Sequence, residues 1–182
     1  MEQILHMVSG SELFSFLDGF SGYNQVLVAE EDRLRTTFCT KWGTFSYRRI
    51  PFGLINAGAT FQRAMDIAFR GMIGHSVVVY LDDVTVFSKK REAHLYHLKQ
   101  IFEHCRKYDI SFNPNKCFFV VLEGKLLGHV ISKRWISIDP EIIEDIEHIP
   151  FPHNKKGMQS SMGTINFVRK FVPDFAQIVK TF

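Results

Sequence analysis

The stretch VVVYLDDVTVF, residues 77 to 87, constrains this chain more than any other. β-Branched and aromatic residues on both sides of Asp82 and Asp83 read as two strands of a hairpin with the acids at its turn. Aspartate is a common turn residue, and solvent at a hairpin tip relieves the repulsion between neighbouring carboxylates. Where water is excluded, two such charges repel by about 4 kcal/mol at 4 Å even at an effective dielectric near 20. A divalent cation is the other way to relieve them. Hard cations take oxygen ligands, and paired metals serve phosphoryl transfer. Both readings stand on these residues alone. FSFLDGFSGY adds Asp18 at the end of another strand, the further acid that a metal site of this kind needs.

Around the hairpin the chain reads as an α+β domain, an antiparallel sheet backed by helices. Residues 12–18 and 24–32 are expected as strands, and 35–50 as a hairpin turning near Gly43. Asn56 is placed to cap a helix whose buried residues are Phe61, Met65, Ile67, Ala68 and Phe69. The strongest helical pattern is 92–108, with Leu95, Leu98, Ile101, Phe102 and Cys105 as its apolar stripe. NPNK, 113–116, is a turn, followed by strands at 117–122 and 126–132. Beyond Pro140 the pattern changes to short helices, 141–148 and about 157–170, joined by the linker-like 150–157. A subdomain boundary is expected near residue 135.

Length and composition set the class. A chain of 182 residues with 46% hydrophobic and 23% charged residues suits one domain with a small appendage. Net charge is +3, a mild lean toward anionic partners, and the 18 phenylalanines suggest an aromatic core or exposed stacking surfaces. Three cysteines without CxxC pairing argue against a secreted disulfide framework. With no leader-like N-terminus and no apolar run long enough to span a bilayer, an intracellular protein without membrane attachment is expected. His94, His97 and His104 share one helix but lack a cysteine or carboxylate at ligand spacing, so zinc is not expected there. Cys105 and Cys117 read as small apolar residues.

Five ordered blocks carry a family resemblance: FSFLDGFSGYNQ, RRIPFGLINAGATFQRAM, VVVYLDDVTVFS, NPNKCFF and KLLGHVIS, with PFPHNKKGMQSSMGTINFVRKFVPDFAQI following. In this order they resemble reverse transcriptases, most closely the Ty3/Gypsy class of long-terminal-repeat retrotransposons, plant elements in particular. The resemblance runs end to end.

It implies the right-hand polymerase palm with partial fingers and a partial helical thumb. Residues 1–25 and 51–134 would be palm, 26–50 the remaining fingers hairpin, and 135–182 the thumb or connecting segment. The activity implied is RNA-directed DNA polymerisation on an RNA or DNA template, adding deoxynucleotides to a primer 3′-hydroxyl. Asp18, Asp82 and Asp83 match the catalytic triad. Two Mg²⁺ ions, replaceable by Mn²⁺, would be held by Asp18, Asp82 and Asp83, with the Gly19 carbonyl as a further ligand. Tyr23 falls on the steric-gate position that excludes a 2′-hydroxyl. Phe52 and Gly53 match the motif lying against the incoming nucleotide, and Lys116 a lysine near the triphosphate path. Gln62 and Arg63 are either core-edge or template-facing. Leu127, Gly128 and His129 match the primer grip, and Lys155, Lys156, Arg169 and Lys170 would meet backbone phosphates. The implied partners are template–primer duplex, deoxynucleoside triphosphates, and the RNase H and integrase regions of a parent Pol polyprotein. The implied location is a cytoplasmic virus-like particle or the nucleus.

The chain departs from the family pattern in several places. Gly58 stands where many members carry proline, Trp135 where a glycine is usual, and SSMG (160–163) where a bulky apolar pair is usual. A long fingers segment ahead of the first motif is lacking, which counts against activity of the isolated chain and suggests a polyprotein fragment. Two other readings compete: a non-catalytic nucleic-acid-binding remnant, and a palm-type nucleotidyl cyclase. The primer-grip and thumb blocks speak against the cyclase.

Overall fold

A computed structural model describes residues 2–150 and 152–179, with the side chains of Glu2, Lys170, Ile178 and Val179 outside the described set. In chain order the elements are α1 (Glu2–Val8), β1 (Leu13–Asp18), α2 (Glu30–Arg33), β2 (Phe38–Thr40), β3 (Gly43–Phe45), α3 (Ala57–Ala68), β4 (Val77–Tyr80) and β5 (Asp83–Ser88). They continue as α4 (His94–Tyr108), β6 (Phe118–Val121), β7 (Glu123–Leu126), β8 (His129–Ser132), β9 (Ile136–Ile138), α5 (Pro140–Glu147), α6 (Lys155–Val168) and α7 (Phe175–Val179). Among the described residues the sheets are β4-β5-β1-β6, the ribbon β2-β3, and β7-β8-β9. No helix there is long and apolar enough to cross a membrane.

The chain divides into two compact units, residues 1–124 with 131–135, and residues 125–130 with 136–182. The first is built on the four-stranded sheet. β1 and β5 are its central strands and run antiparallel from Leu13↔Ser88 to Asp18↔Asp83. Alternation sends Leu17, Val77, Val79, Val84 and Val86 into one core, where they meet Phe61, Met65 and Phe69 of α3 and its end and Leu98, Ile101 and Cys105 of α4. Each fully buried apolar side chain of this kind contributes about 1.5–3 kcal/mol. Burial pushes the Cys105 thiol up to about 12, so this sulfur behaves as an apolar filler.

Polar groups also fasten α4 to the sheet. The His94 imidazole is fully buried, with Nε2 2.8 Å from Ser15 Oγ and Nδ1 2.8 Å from Ser88 Oγ. Ser88 Oγ also lies 2.7 Å from His97 Nδ1, and Ser15 Oγ accepts the Val120 N–H. This chain of bonds joins α4, β1, β5 and β6. Burial pushes both histidines below their ordinary range, with His97 a further influence on His94.

In the second unit, Asp139 caps α5 by accepting the Glu141 N–H, with Pro140 in the first turn, and Asn154 caps α6 by accepting the Gly157 N–H. Lys125 Nζ reaches both Asp139 (3.0 Å) and Glu141 (2.8 Å).

Several expectations need correction. Residues 24–32 form no strand: a 3₁₀ turn (Gly22–Gln25) and α2 bracket a short extended piece, tied to residues 48–50 by Val28 N–H→Arg48 O and Ile50 N–H→Val26 O. Val26 and Val28 alternate inward, which is the pattern the sequence shows, but the acidic run Glu30–Asp32 starts a helix. Asn56 precedes α3 as expected, yet its side chain makes no capping bond. Ile67, Leu95 and Phe102 are exposed rather than buried; the buried stripe of α4 is His94, Leu98, Ile101 and Cys105. Residues 126–132 are not one strand but the end of β7, a turn at Leu127-Gly128, and β8. The segment 150–157 is not all linker, since α6 starts at Lys155; Phe151 lies outside the described residues. Helix α1 and strand β9 were not foreseen.

Candidate catalytic carboxylate site

The β4–β5 hairpin pairs Tyr80 with Asp83, leaving Leu81 and Asp82 as its two-residue loop. Hairpin loops of this length use positive φ to match strand twist. Leu81 has φ +54°, a region where a side chain costs about 1–2 kcal/mol. The loop is held from α3. The Leu81 N–H donates to Gln62 Oε1 (2.9 Å), and Gln62 Nε2 donates to Asp66 Oδ1 (3.0 Å) and, at 3.5 Å, to Val79 O. Sequence reading left Gln62 undecided; it is the residue that fixes the acidic turn. Nothing local in the sequence signals this, because its partner lies 19 residues away.

β1 brings in the third acid. Asp18 stands directly opposite Asp83, a cross-strand position where Cβ atoms lie about 4.5–5.5 Å apart. The chain then folds beneath the loop, with Gly19 N–H donating to Asp82 O (2.8 Å). A Cβ on Gly19 would sit 3.2 Å from that carbonyl and one on Gly22 3.6 Å from Asp82 Cβ, so these glycines permit the close approach. The Gly19 carbonyl accepts the Gly22 N–H at 3.4 Å. Gln25, unassigned in the sequence reading, closes the rim: its amide donates to Phe20 O and Ser111 O and accepts the Ser111 N–H.

The three acids interact electrostatically. Partial burial raises the Asp83 carboxyl above the ordinary carboxylate range, and the charges of Asp82 and Asp18 push it further. Lys116 opposes them, with Nζ 3.7 Å from Asp18 Oδ2 on a largely exposed side chain. This surplus of negative charge, all on oxygen, is the donor chemistry a hard divalent cation takes. Among the described residues no group of three or more His, Cys, Asp or Glu is gathered closely enough to hold a metal by itself. Mg²⁺ ordinarily takes one or two carboxylates and completes its shell with water and substrate phosphate, so the acids fit that mode rather than a closed protein cage.

Tyr23 lies beside this group. Its ring meets Phe52 and Phe61 edge-on, each at 5.4 Å between centroids. Its hydroxyl would be 3.7 Å from a Cβ on Gly58, which spaces it against α3. Phe52 is 68% exposed and Gly53 has φ +95°. Asp18, Gly19, Tyr23, Phe52, Gly53, Asp82, Asp83 and Lys116 thus all belong to the first unit.

The remaining expected site residues belong to the second unit. Leu127 (φ +50°) and Gly128 (φ +74°) form the β7–β8 turn, and His129 Nδ1 lies 2.9 Å from Leu127 O. A Cβ on Gly128 would meet Ile142 Cδ1 at 2.6 Å and Phe167 Cζ at 2.7 Å. Lys155 and Lys156 are exposed in the first turn of α6, Arg169 is exposed just past its end, and the Lys170 side chain lies outside the described residues.

Comparison with known proteins bears on the family and the fold. Residues 2–131 match the family model described as reverse transcriptase (RNA-dependent DNA polymerase). The chain is 33% identical over 180 residues to the retrovirus-related Pol polyprotein from transposon 297 of Drosophila melanogaster, covering 99% of this chain. It is 34% identical over 177 residues to that from transposon gypsy of the same organism, covering 97%. It spans 17% of the length of each of these two relatives. The transposon Tf2-3 polyprotein of Schizosaccharomyces pombe is 29% identical over 98% of this chain and is spanned to 13%. Among solved structures, a foamy viral protease-reverse transcriptase in complex with double-stranded DNA superposes with a TM-score of 0.87 at 23% identity, over 98% of this chain and 32% of that one. A second, in complex with an RNA/DNA hybrid, gives 0.82 at 24%, over 98% and 24%. These two show the fold: the antiparallel sheet is a polymerase palm.

Proposed function

The chain belongs to the reverse transcriptase (RNA-dependent DNA polymerase) family, with Pol polyproteins of Gypsy-type retrotransposons as its relatives, and from this premise we propose how it works. It extends a primer 3′-hydroxyl with deoxynucleoside triphosphates along an RNA or DNA template. The observation that carries this reading is the pairing Asp18↔Asp83 with Asp82 at the adjoining tip.

Asp18, Asp82 and Asp83 are the residues that would hold two Mg²⁺ ions, or Mn²⁺ in their place, with the Gly19 carbonyl as a further ligand. Bound there, the metal supplies charge stabilisation to the attacking and leaving oxygens of nucleotidyl transfer. The chain's own part is positioning. Gln62 fixes the tip, β1 fixes the opposite acid, and Lys116 presents a cation toward a triphosphate. Tyr23, braced by Phe52 and Phe61, presents a flat ring that leaves no room for a 2′-hydroxyl, and Gly53 lets the backbone approach the incoming nucleotide.

In this reading residues 1–25 and 51–134 act as palm, 26–50 as fingers and 135–182 as thumb. Leu127, Gly128 and His129 hold the primer end, and Lys155, Lys156, Arg169 and Lys170 contact duplex phosphates. The chain works within a longer Pol polyprotein carrying RNase H and integrase regions, in a cytoplasmic particle or the nucleus. Neither the remnant nor the cyclase alternative is favoured by the family match.

Primer extension on poly(rA) with an oligo(dT) primer and Mg²⁺ tests the proposal. Extension by the polyprotein that carries this chain and none by its Asp82→Asn variant is the expected result. No extension by either, from protein folded by circular dichroism, would overturn polymerase activity for this chain.

A further inference from the structure

At the end of β1 and β5 away from the three acids, the first unit carries a pocket of about 350 Å³. Glu12 lines it, one residue before β1, with its N–H bonded to Ser88 O at the end of β5. Asp18 is six residues further along the chain. At about 3.3 Å per residue of strand that is about 20 Å, so the pocket is separate from the carboxylate site. Its volume falls in the range of small-molecule sites, about 300–1,000 Å³.

The β8–β9 turn builds one wall. Ser132 donates to Trp135 O from both N–H (3.0 Å) and Oγ (3.1 Å), and the Trp135 N–H donates back to Ser132 Oγ (3.2 Å). The backbone that carries the indole is thus fixed, yet Trp135 is 46% exposed, and Leu122 lines the pocket with it at 60%. Together they offer an open face to a planar group.

The charges around this face are of two kinds. Lys133 is occupied: its Nζ lies 2.6 Å from Glu12 Oε1, while Glu12 Oε2 accepts the Arg91 N–H at 3.1 Å. Arg91, Arg134 and Glu123 also line the pocket, and among the described residues none of these three side chains has an ionic partner. Guanidinium groups present a fixed fork of donors to phosphate. A carboxylate accepts ribose hydroxyls, and an indole stacks a base. Three cations against two carboxylates leave one positive charge, which suits a monophosphate better than a triphosphate.

We propose that this pocket is a second nucleotide site, taking a free ribonucleoside monophosphate: the base on Trp135 and Leu122, the phosphate on Arg134 and Arg91, and the ribose hydroxyls on Glu123. It stands independently of the polymerase reading, since it needs neither template nor divalent metal.

The experiment is isothermal titration calorimetry of the 182-residue chain with AMP, at low salt and in EDTA. Probes for comparison are dAMP, adenosine and ribose 5-phosphate. Trp135→Ala should weaken AMP binding between about fivefold and about 150-fold, the range for one stacked base. Arg134→Gln, an exposed position where folding is least at risk, should weaken it by at least about threefold. Adenosine and ribose 5-phosphate should each bind more weakly than AMP. So should dAMP, and Glu123→Gln should remove that difference. No AMP binding by wild type, an affinity unmoved in both Trp135→Ala and Arg134→Gln when folded by circular dichroism, or dAMP bound as tightly as AMP would overturn the proposal. So would a ten-residue oligo(rA) bound more tightly than AMP through the same residues, which would give the pocket to a strand. Asp82→Asn should leave AMP binding unchanged; a loss there would move AMP to the carboxylates and overturn the second site. Failure of that variant in primer extension bears on the polymerase reading alone.

Discussion

Replacing Asp83 with asparagine should make the protein more stable while removing its proposed chemistry. Asp83 faces Asp18 across the strands and follows Asp82, and like charges directly opposed on a sheet cost roughly 0.2–1 kcal/mol each. Asp18 alone is directly opposed, and Asp82 and Asp83 are themselves exposed and screened, so the total is about 0.2–1 kcal/mol. Lys116 subtracts little, because its side chain is largely exposed and its 3.7 Å contact is to Asp18. For a chain of this size the gain corresponds to a rise in Tm of about 0.5–4 °C at pH 7. The sign with pH follows from the raised carboxyl of Asp83. In the folded state it holds its proton to higher pH than in the unfolded chain. The contribution of Asp83 to stability is therefore greatest below the ordinary carboxylate range and falls as pH rises through the raised value. Melting wild type and Asp83→Asn at pH 7 and pH 4, followed by circular dichroism, should show the gain shrink at the lower pH. Mg²⁺ should raise the wild-type Tm more than the variant's. A variant that melts at or below wild type at pH 7, or a gain undiminished at pH 4, would refute the account of these acids as mutually repelling.

Three further outcomes are expected. Gln62→Ala removes the bond that holds Leu81, and should cost about 0.5–1.5 kcal/mol in urea denaturation while lowering primer extension more than stability alone explains. Gly128→Ala puts a side chain at φ +74° and against the ends of Ile142 and Phe167; thermal melting should register a loss of at least about 1–2 kcal/mol. His94 is buried with a lowered pKa, so the unfolded chain takes up a proton that the folded one refuses. Stability should fall as pH drops below about 6.5 toward the depressed folded value, and His94→Asn should flatten that slope in urea titrations at stepped pH.

What the sequence disclosed and what it withheld divide by range. The Tyr80–Asp83 turn, the Gly43 hairpin and α3 after Asn56 are local patterns of β-branched runs, turn residues and helical spacing, and they stand where expected. The strand expected at 24–32 failed because Val26 and Val28 show the right alternation over too short a span. His94 was passed over as core because it is polar; only Ser15 and Ser88, brought from two distant strands, let it be buried. Gln62 was undecided for the same reason, since its meaning lies in a partner on another element. That Asp18 meets Asp83 is likewise a matter of register, which no single stretch of sequence encodes.

That register also sets what kinds of lesion a copied gene can survive. Side chains alternate along a strand, so losing one codon within the six residues of β1 moves the residues on one side of the gap to the wrong face. If residues 13–14 keep their pairing, the loss of Phe16 takes Leu17 from the core and Asp18 from Asp83 in the same event. The loss of one codon in the exposed turn at Lys41-Trp42 costs only a local rearrangement of the ribbon. Two in-frame deletions of equal size thus have unequal consequences: one undoes the sheet and the carboxylate site together, and the other leaves both standing.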